Sequence, residues 1–265
     1  MPAESIVGRL RAAGCVFAEE EAQALTDSAT TPAGLAEMVS RRVAGEPLEQ
    51  VLGWADFAGL RIVVEPGVFV PRRRTEFLVR QVVALLRTPS VVLDLCCGTG
   101  AIGAAVMNMT ASSADVELHA SDLDAAAVRC AKTNIGRGQV YQGDLFDPLP
   151  PTLRGRVDLL VANTPYVPTK EINYLPAEAR DHEPRTALDG GADGLDVQRR
   201  VAAEAGAWLA PGGHLLVETS ERQAATARDI FAANGLRPTI VSDEELGATV
   251  VIGTRDDDEQ ETRPC

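Results

Sequence analysis

The residues best suited to chemistry stand at the end of one apolar run. Val157-Asp158-Leu159-Leu160-Val161-Ala162 reads as a buried parallel strand and passes without pause into Asn163-Thr164-Pro165-Tyr166. In open α/β sheets, ligands are handled at the carboxyl ends of such strands. An amide, a proline and an aromatic ring at that end make a place to hold a planar polar group.

A second stretch reads as a cofactor loop. Asp94-Leu95-Cys96-Cys97-Gly98-Thr99-Gly100 leaves a strand and enters a helix, and its glycines let backbone approach a ligand closely. Gly98-x-Gly100-x-x-Gly103 matches the dinucleotide fingerprint by letter, a weak signal alone. Asp94, still on the strand, tips the reading: a carboxylate there suits the amino group and sulfonium of S-adenosylmethionine, whereas a pyrophosphate would be repelled. The next predicted strand ends in His119-Ala120-Ser121-Asp122, followed by Leu123, and Asp122 is placed to accept both ribose hydroxyls. That role is common to NAD and S-adenosylmethionine sites. After a third strand, Gly143-Asp144-Leu145-Phe146 offers an acid for the adenine amino group and an apolar side chain for its face. Each acid alone also reads as a solvated loop carboxylate or a helix cap. Three in register at successive strand ends point to a nucleoside.

The elements that must position these residues follow from periodicity. From Val91 onward strands are predicted near 91–96, 116–121, 139–142, 157–162, 213–218, 237–242 and 248–253, alternating with helices near 101–109, 124–133, 195–209 and 221–234. This alternation predicts an α/β fold, a doubly wound seven-stranded mostly parallel sheet of Rossmann-like type, over residues 72–254. Before it, residues 1–47 form a small helical cap: Ile6, Val7 and Leu10 share a helical face ending at Gly14, a second short helix spans Glu19–Leu25, and Thr31-Pro32 caps a third carrying Leu35, Met38, Val39 and Val43. Residues 48–71 read as a β-hairpin connector with runs at Val51-Leu52, Leu60–Val64 and Val68–Val70, and Pro71 to Glu76 opens a helix carrying Phe77, Leu78, Val82, Leu85 and Leu86. Residues 255–265 are acidic, lack apolar anchors and read as a disordered tail.

Composition narrows the function classes. The chain has 265 residues, 45% of them apolar, and a net charge of −13, which disfavours direct nucleic-acid binding driven by charge. No signal-peptide run or membrane-length window is evident, so a cytoplasmic protein is expected. Cys15, Cys96, Cys97, Cys130 and Cys265 are odd in number and lack metal-site spacing, so reduced thiols and no metal are expected.

Asn163-Thr164-Pro165-Tyr166 resembles the Asn-Pro-Pro-Tyr signature of methyltransferases acting on planar nitrogens. Together with Gly45-Glu46-Pro47, Gly53, Phe57, Pro71-Arg72, Thr75-Glu76, the Asp94–Gly100 loop, Leu175-Pro176, Glu183-Pro184, Ala187-Leu188, Gly190-Gly191 and Asp193-Gly194-Leu195-Asp196, it is similar to the HemK/PrmC family of protein-(glutamine-N5) methyltransferases over residues 40 to 254. The resemblance implies a class I S-adenosylmethionine-dependent fold and a protein substrate with an exposed glutamine, that of the Gly-Gly-Gln loop of class 1 release factors. It implies that Asn163, Thr164, Pro165 and Tyr166 form the acceptor site: the Asn163 side-chain oxygen and the Thr164 carbonyl accept the two hydrogens of the target NH₂, and Tyr166 packs on its plane. An amide nitrogen has a delocalised lone pair, so such acceptors must stabilise the charge that develops on it. The implied cofactor wall is Asp94, Cys96, Cys97, Gly98, Thr99, Gly100, Asp122, Leu123, Asp144, Leu145 and Asn163. The chain departs from the family pattern at Thr164, which keeps a carbonyl but lacks proline's fixed φ, at Cys96-Cys97 where Gly and a small residue are usual, and in its short cap.

Other candidates read as structural. His214 lies within a predicted strand, His119 stands apart from the motifs, His182 beside Glu183-Pro184 reads equally as lining the acceptor cleft or as packing, and Trp54 and Trp208 suit packing. Arg72 and Glu76 could either be solvated or shape the cofactor pocket. Three alternatives stand beside glutamine methylation: N-methylation of a nucleobase exocyclic amine, a cofactor-binding partner protein of weak activity, and an NAD oxidoreductase, which Asp94 disfavours.

Overall fold

The computed structural model describes residues 3–110 and 115–257, so most of the predicted acidic tail, including Cys265, lies outside the described residues. The cap consists of α1 (Ala3–Ala12), α2 (Ala18–Ser28) and α3 (Pro32–Val43). Ile6, Leu10, Ala18, Ala22, Leu25 and Val39 close over one another as a separate small core, joined by Val51 of the next helix. Thr31 caps α3 by accepting from the Gly34 N–H at 3.0 Å, with Pro32 in the first turn where its missing donor costs nothing.

The connector differs from its predicted form. Val51-Leu52 belongs to a short helix, α4 (Leu48–Leu52), ended by Gly53 at φ 82°. The hairpin is instead β1 (Trp54–Phe57) with β2 (Leu60–Val63), and Val68–Val70 begins at a bend and forms no strand. Apolar residues in a run of five satisfy either period, and the Gly53 C-cap decided for helix. Asn134 ties the hairpin down, exchanging both amide bonds with Val63 at 2.9 Å and also donating to the Thr99 carbonyl in the glycine loop.

The main unit alternates as predicted: α5 (Glu76–Leu85), β3 (Ser90–Leu95), α6 (Ala101–Met109), β4 (Val116–Asp122), α7 (Ala125–Ile135), β5 (Gln139–Gln142) and β6 (Val157–Ala162). After β6 come α8 (Ala177–His182) and α9 (Arg185–Leu188), both too short for a periodic signal, then α10 (Asp196–Trp208), β7 (Leu209–Thr219), α11 (Glu221–Ala233), β8 (Leu236–Asp243) and β9 (Ala248–Arg255). Arg255 therefore closes β9 instead of opening the tail.

The seven strands run in the order β5-β4-β3-β6-β7-β9-β8, all parallel except β9, which is antiparallel to both neighbours. Side chains of the central strands divide by alternation. Val92, Leu159, Val161 and Leu216 face α5, α6 and α7, while Leu93, Leu95, Leu160 and Val217 face α10 and α11, where Trp208 stacks on Phe146. Strand order reverses between β3 and β6, which lie side by side with Leu95 opposite Ala162. The crevice above such a reversal is where this architecture binds ligands.

Candidate active site

That crevice opens as a cleft of about 1290 Å³. Because Leu95 and Ala162 are paired, the residues that follow them, Cys96 and Asn163, emerge next to each other, so the glycine loop and the Asn163–Tyr166 tetrapeptide share one cavity. Cys96, Gly98, Asp122, Leu123, Asp144 and Leu145 line one half, and Asn163, Thr164, Pro165 and Tyr166 line the other.

The expected cofactor wall is thus only partly on the cleft surface. Asp94, Cys97, Thr99 and Gly100 lie behind it. Asp94 is fully buried; its Oδ2 accepts from the Gly103 N–H at 3.1 Å, and its Oδ1 has no partner. Burial, the largest influence, pushes its pKa up to about 7, with Asp122 adding to the rise. Gly100 has φ 74°, and a methyl there would meet Ala131 Cα at 2.9 Å, so this glycine serves helix packing. Cys96 carries a side chain at φ 53° where the family pattern has glycine. An L-residue in that conformation costs about 1 kcal/mol.

Asp122 holds the loop from the next strand. Its Oδ2 accepts from Gly98 N–H at 2.8 Å and its Oδ1 from Asp124 N–H at 2.9 Å, and the residue lines the cleft. Asp144 accepts from Arg200 at 2.7 Å at the cleft edge, and Phe146 is buried against Trp208, which leaves Leu145 as the apolar wall.

These residues fit a cationic nucleoside cofactor. Three acids surround the Cys96 thiol: burial raises its pKa most, Asp122, Asp94 and Asp144 raise it further, and Arg200 lowers it. A negative field, together with an unpartnered buried carboxylate oxygen beneath the loop, suits an amino group and a sulfonium and opposes a pyrophosphate.

The half of the cleft that carries Asn163 to Tyr166 is held from every side. The Asn163 side-chain nitrogen donates to Thr75 Oγ1 at 3.3 Å, which turns its oxygen away from Thr75. Thr164 is buried and its hydroxyl has no partner. The Tyr166 phenol bonds Arg74, whose Nε donates to Glu218 Oε1 at 3.1 Å. Gln223 Nε2 donates to the carbonyls of Tyr166 at 2.9 Å and Asp193 at 2.8 Å. Val167 N–H donates to the Leu188 carbonyl and the Val167 carbonyl accepts from Gly190 N–H, and a methyl on Gly190 would lie 2.6 Å from the Pro165 carbonyl oxygen. The Gly190-Gly191 and Asp193-Gly194 motifs therefore let two backbone segments approach as only glycine permits.

Arg72 lines the cleft and donates at 2.6 Å to Glu183, whose carboxylate also accepts from Val70 N–H at 3.2 Å. Burial raises the Glu183 pKa despite Arg72. Glu76 is absent from the wall and instead accepts from Ala58 N–H at 3.1 Å, fixing the hairpin turn. None of His119, His182 and His214 lines the cleft; His119 bonds Tyr141 and Glu117, and His214 bonds Thr254. Phe69, Arg74, Arg200, Glu218 and Gln223 are parts of the site that sequence reasoning missed. Only Glu218 carried a signal, being an acid at the carboxyl end of a strand like Asp94 and Asp122. Among the described residues no His, Cys, Asp and Glu cluster could hold a metal, and no helix is long and apolar enough to cross a membrane.

The strand order, the glycine loop and the acids at successive strand ends define a class I S-adenosylmethionine-dependent methyltransferase. Comparison with known proteins refines the class. The Methyltransferase small domain family model matches residues 59–182. A release factor glutamine methyltransferase of Geobacter sulfurreducens is 38% identical over 221 residues, 82% of this chain and 76% of that protein. A 4-amino-L-phenylalanine/4-methylamino-L-phenylalanine methyltransferase of Streptomyces pristinaespiralis is 37% identical over 206 residues, covering 74% of this chain and 69% of that one. In fold, a methyltransferase of Pyrococcus furiosus superposes with a TM-score of 0.55 at 16% identity, over 83% of this chain and 99% of that chain. The chain belongs to the release factor glutamine methyltransferase family.

Proposed function

We propose that the chain transfers a methyl group from S-adenosylmethionine to the side-chain amide nitrogen of a glutamine in a protein, the protein being a peptide-chain release factor. The observation that carries the reading is the shared cleft: the acceptor tetrapeptide after β6 stands beside the glycine loop after β3. When bound, S-adenosylmethionine supplies an electrophilic methyl carbon on a sulfonium.

The chain's residues do the rest. Gly98, Asp122, Leu123 and Leu145 would hold the nucleoside end, with Asp94 acting through its field from beneath the loop. Asn163 Oδ1 and the Thr164 carbonyl would each take one hydrogen of the acceptor NH₂, which points the nitrogen's remaining electron density across the cleft. As nitrogen gains positive character those two bonds strengthen, so they favour the transition state over the ground state. Tyr166, anchored by Arg74 and Gln223, would cover the amide plane and exclude water. Thr164 serves as well as proline here because the contact uses its backbone carbonyl.

The amino-phenylalanine relative favours a second reading, a free aryl amine in the same site. One assay separates the two. The purified chain is incubated with S-adenosylmethionine and either a release factor, the same factor with its candidate glutamine changed to glutamate, or 4-amino-L-phenylalanine. Transfer to the first alone is expected; transfer to the amine alone would overturn the glutamine reading.

A further inference from the structure

An amide side chain has two ends of nearly equal size, and only one serves an NH₂ acceptor. With Asn163 Oδ1 toward the cleft, it accepts a hydrogen from the substrate nitrogen. With the amide reversed, two N–H groups face an NH₂ and the site opposes its own substrate. The fold must therefore choose, and Asn163 Nδ2 makes its bond to a hydroxyl, Thr75 Oγ1, at 3.3 Å. A hydroxyl can donate or accept, so Thr75 alone leaves either orientation open.

We propose that Glu218 is a positioning residue that sets the Asn163 amide through Thr75. Glu218, the penultimate residue of β7, stands next to the Asn163 position, since Ala162 pairs with Val217 one residue earlier. It is 2% exposed and Thr75 is 3% exposed; burial raises the carboxylate's pKa most, Thr75 and Arg74 lower it as near neighbours, and no Thr75–Glu218 bond closes in this geometry. An ionised carboxylate can only accept. Arg74 keeps it paired by donating to Oε1 at 3.1 Å, and buried Oε2 takes no bond in this geometry, which leaves acceptor capacity for the Thr75 proton. With its proton committed to Glu218, Thr75 presents a lone pair to Asn163, and a lone pair selects Nδ2. Oδ1 then faces the cleft. The same carboxylate reaches the other side of the acceptor site, because Arg74 continues to the Tyr166 phenol. One buried acid thus orients both the group that accepts from the substrate NH₂ and the ring over its plane.

This inference rests on the reading of Asn163 as the acceptor-binding amide, and the test separates the two. Single-turnover methylation of a release factor is measured for the full-length chain and for Asn163→Ala, Thr75→Val, Thr75→Ser and Glu218→Gln, with S-adenosylhomocysteine affinity measured in parallel. Thr75→Val and Glu218→Gln are expected to lower kcat by about 10- to 100-fold with cofactor-product affinity within about two-fold, and Thr75→Ser to restore most of the loss. Glutamine at position 218 can donate to Thr75, which reverses the chain of bonds and turns Nδ2 toward the cleft. Placed in the Asn163→Ala background, Glu218→Gln should cause no further loss, because no amide remains to orient. Near wild-type kcat in both Thr75→Val and Glu218→Gln, or a loss that adds in full to that of Asn163→Ala, overturns the proposal. Should Glu218→Gln fail to fold, the Thr75→Val and Thr75→Ser pair decides it. Full activity of Asn163→Ala would instead overturn the reading beneath it.

Discussion

Gly194 lies behind the acceptor loop at φ 84°, and the account makes Gly194→Ala a test of how that loop is held. A methyl at this position would run into the Tyr166 carbonyl oxygen and Gln223 Nε2, and would come within 2.9 Å of the Tyr166 carbonyl carbon. A side chain in left-handed backbone costs about 1–2 kcal/mol. Overpacking against backbone adds about 1–3 kcal/mol, and breaking the Gln223 bond to Tyr166 about 1 kcal/mol. The sum, about 3–6 kcal/mol, rivals the whole stability of a typical domain, so the loop yields instead of bearing it. It can yield only by carrying Tyr166 away from Gly194, and Asn163 to Pro165 move with it. A misplacement of about 1 Å in a positioning group costs on the order of 10²-fold in rate. The expected result is kcat down by about 10²-fold, with S-adenosylhomocysteine affinity within about two-fold because the cofactor half of the cleft is built on β3 and β4. Gly206→Ala is the control: a methyl there meets nothing within 4 Å, and alanine suits the last turn of α10, so stability should rise by about 0.5–1 kcal/mol. Wild-type kcat and melting temperature in Gly194→Ala would refute the claim that this close approach sets the loop.

Three further outcomes follow. Thr164→Pro removes a buried hydroxyl that has no partner, and no main-chain bond from the Thr164 N–H crosses to another segment, so denaturant unfolding should show a gain of about 1 kcal/mol with transfer retained. Asp94 has its folded pKa raised from 3.8 to about 7, so the stability linked to it is present below pH 3.8 and lost as pH rises through about 7, a loss of up to about 4 kcal/mol. Urea midpoints of the cofactor-free chain at pH 5 and pH 8 should differ in that direction, and Asp94→Asn, which keeps an acceptor for Gly103, should flatten the difference. Arg42 is 6% exposed and joins the cap to the main unit, donating to Glu21 at 2.6 Å and to Glu178 of α8 at 2.6 Å. Arg42→Ala strands a buried carboxylate and should cost about 3–5 kcal/mol by denaturation, with cap helices exchanging amide hydrogens first.

Much of the fold was legible because burial wrote it plainly. Strands buried on both faces, such as Val157–Ala162, read as continuous apolar runs, and each helix that follows carries a 3.6-residue stripe. The connector misled where Val51-Leu52 fitted either period, and α8 and α9 span too few residues to show any. In the site, the strand-end rule found Asp94, Asp122 and Asn163, yet it could not tell a residue on the cleft wall from one beneath it. Asp94 and Cys96 are two apart in sequence, and only the turn after β3 puts one behind the loop and the other in the cavity. Glu218 satisfies the same rule, but no glycine loop or turn motif follows it to mark the strand end as a site. Arg74 and Gln223 were not legible at all: each acts through contacts to Tyr166 from far along the chain, which no local pattern records.

The central claim, methyl transfer to a protein glutamine, is tested most directly in a lysate from cells lacking this chain. Purified protein and S-adenosylmethionine carrying a labelled methyl are added, and the modified residue is identified by tandem mass spectrometry. The account predicts label on the side-chain amide of one glutamine in a peptide-chain release factor, and no label with Asn163→Ala. Label on another residue type, on nucleic acid or on a small amine, with the release factor untouched, would contradict it.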